Sequence, residues 1–156
     1  MLKNVKAQAI IGPTTSSQTE FVANLGNKTQ VPVVAFSDTS PSLSALRIPY
    51  FVRATPDDSS QVGAISAIVK FHGWREVVPI YEDTDYGSGI LPFLIDAFNS
   101  IDTRVPYRSV VPSNAPDEWL AAELYKLTSM QTRVFVVHMM PPLASRLFQH
   151  VQYTLT

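Results

Sequence analysis

Ala9-Ile10-Ile11-Gly12-Pro13-Thr14-Thr15-Ser16-Ser17 is an apolar run that ends in Gly-Pro and gives way to four hydroxyl residues, after which Phe21, Val22 and Leu25 recur at helical spacing. The stretch therefore reads as a strand, a sharp turn and a helix N-terminus. At such an N-terminus, unpaired backbone N–H groups and the positive end of the helix dipole meet hydroxyl side chains, an arrangement able to seat a carboxylate or phosphate. The alternative is that Ser16 or Ser17 simply caps the helix.

Working outward, apolar runs continue to alternate with helical periods. Residues 5–11 read as a strand, 17–26 as a helix closed by Gly-Asn, and 31–36 as a second strand. Residues 37–49 break the rhythm: they are rich in Ser and Pro, carry no period, and precede the short apolar run 50–53. Asp57-Asp58-Ser59-Ser60 then has the composition of a helix start, ahead of Val62, Ile65, Ile68 and Val69 on one face and a stop near His72-Gly73. Strands are expected at 76–81, 105–111 and 133–138. The helices between and after them carry Ile90, Leu91, Leu94 and Phe98, then Leu120, Leu124 and Leu127, then the span 142–151. The fold class is α/β, a parallel sheet with helices on both faces. Two strands before the break are too few to close a two-faced sheet, whereas three strands with their helices follow it, so the chain is expected to divide at 49/50, an incomplete first part joined to much of a second.

Composition narrows the function. With 156 residues, 46% hydrophobic and 16% charged, the chain has the balance of a packed domain, and a net charge of −1 without a basic stripe argues against nucleic acid as partner. No run reaches the ~18 apolar residues that span a bilayer, which speaks against direct membrane contact by this segment. Met1-Leu2-Lys3-Asn4-Val5-Lys6 lacks the apolar core of a signal peptide. The absence of cysteine excludes disulfides, thiol catalysis and thiolate metal sites but leaves the compartment open. Asn27-Lys28-Thr29 is a glycosylation sequon, a weak pointer to the secretory pathway because such triplets also arise by chance.

Catalytic chemistry is thinly represented. His72, His138 and His150 lack metal-ligand spacing and read as structural. Gly87-Ser88-Gly89 lacks the third glycine of a dinucleotide loop and reads as a helix start. Glu82-Asp83-Thr84-Asp85 crowds carboxylates after a strand and reads as a solvated loop, with a metal site as the alternative. We expect no catalytic residue, no cofactor and no metal. The hydroxyl and acidic residues instead gather just past strand ends, at 14–17, 37–39, 57–58 and 83–86, and in an open α/β sheet that edge is where ligands bind. Hydroxyls and helix N–H groups suit the carboxylate of a zwitterion, while acids and an aromatic face suit its ammonium.

Four segments in order, Ala9-Ile10-Ile11-Gly12-Pro13, the run from Val31-Pro32-Val33-Val34-Ala35-Phe36 through Ser37-Asp38-Thr39-Ser40-Pro41-Ser42-Leu43, Pro49-Tyr50-Phe51-Val52-Arg53-Ala54-Thr55, and Gly73-Trp74-Arg75-Glu76-Val77-Val78-Pro79-Ile80-Tyr81, resemble the receptor ligand-binding region of the type I periplasmic-binding-protein superfamily. The likeness is greatest to the amino-terminal domain of plant glutamate receptor-like channels of the second clade. It implies a two-lobed clamshell binding an amino acid or amino-acid-like ligand, as one extracellular layer of a tetrameric cation channel whose other subunits are its partners and which sits in the plasma membrane. It also implies that Ser16 and Ser17 meet the ligand carboxylate, that Ser37 and Thr39 flank its carboxylate and ammonium, and that Asp58 and Tyr86 close from the second lobe. Asp38 stands where the family carries a small residue. The resemblance further implies that lobe one is incomplete, with family elements absent before Val5 and after Gln152, and that Tyr153-Thr154-Leu155-Thr156 departs from the family pattern, as in a fragment. Two other classes share the layout: a solute-binding protein of an amino-acid transporter, and a flavodoxin-like enzyme with a metal at 82–85.

Overall fold

In the computed structural model, which describes residues 6–45 and 47–154, the chain divides into two compact units, the first ending at Ser60 and the second starting at Gln61. Residues 1–5 and 155–156, on which part of the expected first strand and of the tail fall, lie outside the described residues.

The first unit holds a three-stranded parallel sheet of β1 (Ile10–Ile11), β2 (Val33–Ala35) and β3 (Phe51–Arg53), in that order. Gly12 follows β1 at φ 114°, a region costly for any residue with a Cβ, and the Gly12–Pro13 peptide is cis. Helix α1 (Ser16–Thr29) returns the chain for parallel pairing, because two parallel strands cannot be joined by a tight turn. It ends with Gln30 in the left-handed conformation, where the Gln30 and Val31 N–H groups donate to the Asn27 and Gly26 carbonyls. Thr19, Ala23 and Gly26 of α1 are buried, and a Cβ at Gly26 would run into the Val33 side chain, so helix and strand meet closely there. Alternation along the strands puts Val33 and Ala35 on that covered side and leaves Ile11, Phe36 and Val52 of the other side exposed.

Two expectations are corrected here. The run 50–53 does not open the second division: Phe51–Arg53 pairs with β2 in the first sheet, and the first compact unit extends to Ser60 rather than ending at 49/50. The break at 37–49 also contains one short helical turn, α2 (Ser42–Ala45), with Leu43 buried. A three-residue apolar strand finds partners by register, and the lone sequence of 50–53 carries no record of which sheet offers them.

Helix α3 (Ser59–Phe71) leads into the second unit and stops at Gly73, φ 67°, where the Gly73 and Trp74 N–H groups donate to the Lys70 and Val69 carbonyls. The second sheet is parallel throughout, in the order β5 (Ser109–Val111), β4 (Val78–Glu82), β6 (Phe135–His138). Between β4 and β5 lie α4 (Asp85–Gly89) and α5 (Leu91–Asn99); α6 (Asp117–Ser129) joins β5 to β6, and α7 (Pro141–Thr154) follows. Successive residues of β4 and β6 serve opposite faces. Val78, Ile80, Phe135 and Val137 pack with Leu120, Leu124 and Leu127 of α6 and Leu143 and Leu147 of α7. Val77, Val134 and Val136 pack with Val62 and Val69 of α3 and Leu94 and Phe98 of α5. Three expected strands and their helical crossovers thus form one parallel sheet covered on both faces, in keeping with strands that are apolar almost throughout.

Pro79 sits in the central strand, where the missing N–H would ordinarily cost a ladder bond. In a parallel strand alternate residues bond to alternate neighbours: Val78 N–H donates to Val134, on the β6 side, while Val77 and Asp83 donate to Arg104 and Val111, on the β5 side. The nitrogen of Pro79 therefore faces the β5 side, and β5 begins only opposite Ile80. The expected strand 105–111 shortens to Ser109–Val111 for a matching reason, since Pro106 supplies no donor.

Burial along α6 separates structural from surface positions on one helix. Leu120→Ala is expected to lower unfolding stability by about 2–5 kcal/mol, whereas Tyr125→Ala, at a side chain 74% exposed, should change it by no more than about 0.5 kcal/mol, measured by urea denaturation. Gly87→Ala should cost about 2 kcal/mol or more in the same experiment, because the added Cβ would overlap the Glu82 carbonyl oxygen, backbone that cannot move aside cheaply.

Candidate functional site

All three strands of the first sheet point the same way, so the segments leaving their carboxyl ends share one edge. Five of the residues expected at a ligand site, Ser16, Ser17, Ser37, Thr39 and Asp58, lie on the segments that leave this edge. Ser37, after β2, donates its hydroxyl to the Thr14 carbonyl after β1 at 3.0 Å. Thr39 donates to Asp58 Oδ2 at 2.9 Å, and the Asp58 N–H donates back to the Thr39 carbonyl at 2.8 Å. This reciprocal pair straps the β2 exit to the start of α3, and Asp58 is almost fully buried. Ser16 and Ser17 open α1, Ser16 nearly buried and Ser17 exposed. Neither occupies the N-cap position: Thr15 does, and its side chain makes no capping bond. The first-turn amides of α1 thus have no side-chain cap.

One placement corrects the sequence reading. Asp58 belongs to the first unit, where its carboxylate accepts from the Thr39 hydroxyl. Its position in the chain beyond the Ser/Pro-rich break suggested otherwise, but β3 folds back onto β2 and carries Asp58 with it.

Behind these residues lies a cluster of charges that sequence reasoning missed. Asp38 is fully buried, with Oδ1 accepting from the Ser40 N–H at 3.3 Å and Oδ2 3.6 Å from Arg53 Nη2. Arg53 Nη1 lies 3.8 Å from Asp57 Oδ2. The guanidinium therefore sits between two carboxylates, close enough for strong attraction yet beyond hydrogen-bond reach of either. Asp57 is held further by the Ser44 hydroxyl at 2.6 Å, the Ser59 N–H at 3.1 Å and the Ser59 hydroxyl. The available signal was Arg53 four residues before Asp57, with Asp38 just past the neighbouring strand.

Tyr86 lies in the second unit, in α4 just past β4. Its ring stacks on His138 at 4.5 Å between centroids, and its carbonyl lies 3.3 Å from His138 Nε2. His138 is thus an aromatic neighbour of a candidate ligand residue, beyond the structural role read from sequence. The acidic run 82–85 does not act as a cluster: Glu82 is buried with Oε2 accepting the Met140 N–H at 3.0 Å, while the Thr84 hydroxyl caps α4 by accepting from Gly87 N–H at 3.2 Å. Among the described residues no three His, Cys, Asp or Glu side chains converge as metal ligands. Asn27 of the sequon is exposed in the last turn of α1, with the Thr29 hydroxyl donating to the Leu25 carbonyl at 2.8 Å. Among the described residues no helix is long and apolar enough to cross a membrane.

The Ser44 hydroxyl bond to Asp57, the bonds from Ser59 and the nearby Arg53 guanidinium hold this carboxyl below its ordinary value of 3.8. A carboxyl whose folded-state value is depressed adds stability that is present above its unfolded value and is lost as pH falls through the folded one. The melting temperature of the chain should therefore drop below about pH 4, and Asp57→Asn should flatten that acid limb in a pH series by circular dichroism.

Against known sequences, residues 1–154 match the family model described as the receptor family ligand binding region. Among relatives, Glutamate receptor 2.6 of Arabidopsis thaliana is 56% identical over 148 residues, covering 95% of this chain and 15% of that protein. Glutamate receptor 2.5 of the same plant is 57% identical over 148 residues, with 95% and 16% covered, and Glutamate receptor 2.4 is 52% identical over 154 residues, with 99% and 17% covered. The chain spans about a sixth of the length of these relatives. A match along nearly the whole chain, on a parallel α/β frame with ligand-type residues at its strand ends, places it plainly: the chain belongs to the receptor family ligand-binding region, as its plant glutamate receptor relatives of the second clade do.

Proposed function

We propose that this chain forms part of the extracellular amino-acid-binding layer of a plant glutamate receptor-like cation channel, acting by binding and not by catalysis. Its first unit contributes to lobe one and its second to lobe two, and the parent assembles with other receptor subunits as a tetramer in the plasma membrane. The observation that carries the reading is the convergence of Ser16, Ser37, Thr39 and Asp58 at one carboxyl edge of a parallel sheet, beside an α1 N-terminus without a side-chain cap. The amides and hydroxyls of Ser16 and Ser17 take the carboxylate of a small zwitterion. Ser37 and Thr39 flank it, and Asp58 supplies negative charge for the ammonium.

Calorimetric titration of the proteinogenic L-amino acids into the full extracellular domain of the parent receptor tests this. Ser16→Ala and Asp58→Asn should each weaken binding by roughly 1.5–3 kcal/mol, the range for a hydrogen bond to a charged group, with Ser16→Ala leaving the melting temperature nearly unchanged. Affinity unchanged in both variants would assign these residues to helix and loop architecture alone. The extracellular part of the reading predicts that Asn27 carries an N-linked glycan when the chain passes through the secretory pathway. An endoglycosidase-sensitive mass increase, abolished by Asn27→Gln, is the expected result.

A further inference from the structure

Away from the strand ends, the second unit has a pocket of about 440 Å³ between β6 and the helices α6 and α7. Its floor is made by Leu127 and Leu147, both almost fully buried, its wall by half-buried Phe135, and its mouth by Phe148, 53% exposed. The size lies within the ordinary range for small-molecule sites, roughly 300–1,000 Å³. Among the described residues one charged side chain lines it, Arg133, and no acid does.

That arginine is anchored. Its Nη1 donates to the Thr128 carbonyl at 2.8 Å and to the Met130 carbonyl, at the C-terminal end of α6. Among the described residues Nη2 and Nε engage no group, so three N–H donors remain on a guanidinium held at the edge of an apolar slot. A concave apolar surface gains from covering, and a single fixed cation with no acid beside it selects an amphipathic anion. A second copy of the chain fits less well: the pocket is walled by ten residues, against the ~20–30 per side of a stable protein interface.

We propose that this pocket binds one medium-chain fatty carboxylate, its hydrocarbon chain lying between β6, α6 and α7 and its carboxylate on the Arg133 guanidinium. The site stands apart from the amino-acid reading, because every residue it uses belongs to the second unit and none is a zwitterion contact proposed above.

The test titrates sodium decanoate, 1-decanol and decylammonium chloride, each below the concentration at which it self-associates, into the 156-residue chain by calorimetry near neutral pH. Decanoate should bind at one per chain, raise the melting temperature, and bind about tenfold more tightly than decanol, as a charge-assisted bond to one guanidinium implies. Decylammonium should bind more weakly than decanol. Arg133→Gln, at an exposed position, should bring decanoate down to the decanol level, and Val151→Trp, filling the slot from its half-exposed edge, should weaken both. Equal affinity of the wild-type chain for decanoate and decanol, binding that does not saturate, or a concentration-dependent dimer that excludes all three probes would each overturn the proposal. The comparison of the three probes on the wild-type chain decides it even if a variant fails to fold.

Discussion

Parallel pairing is the constraint on which the rest of this structure depends. Strands that run the same way cannot be joined by a hairpin, so each pair demands a crossover, and each crossover helix must bury its apolar stripe on a sheet face. In the second unit this makes β4 bonded on both edges and packed on both faces, with Val77 serving one layer and Val78 and Ile80 the other. The same constraint collects every strand exit at one edge. In the first unit it brings the segments after β1, β2 and β3 together, joining Ser37 to Thr14 and Thr39 to Asp58 without any of these pairs being close in sequence.

The charge cluster behind that edge is held by packing as much as by attraction. Removing Asp38 and Arg53 from water is costly, and their separation of 3.6 Å lacks the hydrogen bond that best offsets such a cost. Among the described residues, Asp38 Oδ2 and both Nη atoms of Arg53 are buried and find no hydrogen-bond partner. What holds the arrangement is its position: Arg53 ends β3 and Asp38 follows β2, so strand pairing sets the two side chains opposite each other, and Asp57 supplies a second carboxylate from the turn into α3. This chain thus places a buried carboxylate next in sequence to Thr39 and opposite the Arg53 guanidinium.

The two units differ in how completely they are covered. Both faces of the second sheet are packed, whereas in the first the residues Ile11, Phe36 and Val52 are exposed on the face opposite α1. Apolar burial therefore stabilises the second unit on two sides of its sheet and the first mainly on one. The candidate ligand residues of the first unit stand on the less covered frame, supported by hydrogen-bonded straps and ion pairing more than by a deep core.

Periodicity alone determined the α/β class, the parallel second sheet and the inward faces of its helices, because a helix stripe such as Ile90, Leu91, Leu94 and Phe98 has one physical use, burial, and all four residues are buried. The motif series carried the family, and the gathering of hydroxyls and acids past strand ends marked the candidate site. What the linear pattern could not carry was pairing. The apolar run at 50–53 is equally suited to a linker or a strand, and only its register with Val33–Ala35 made it β3, moved the division between units past Ser60 and set Asp58 against Thr39. The Asp38–Arg53 pair and the Tyr86–His138 stack arise in the same way, from residues far apart in sequence brought face to face by strand pairing, whereas Asp57, four residues after Arg53, is the one member of the charge cluster that local spacing offers.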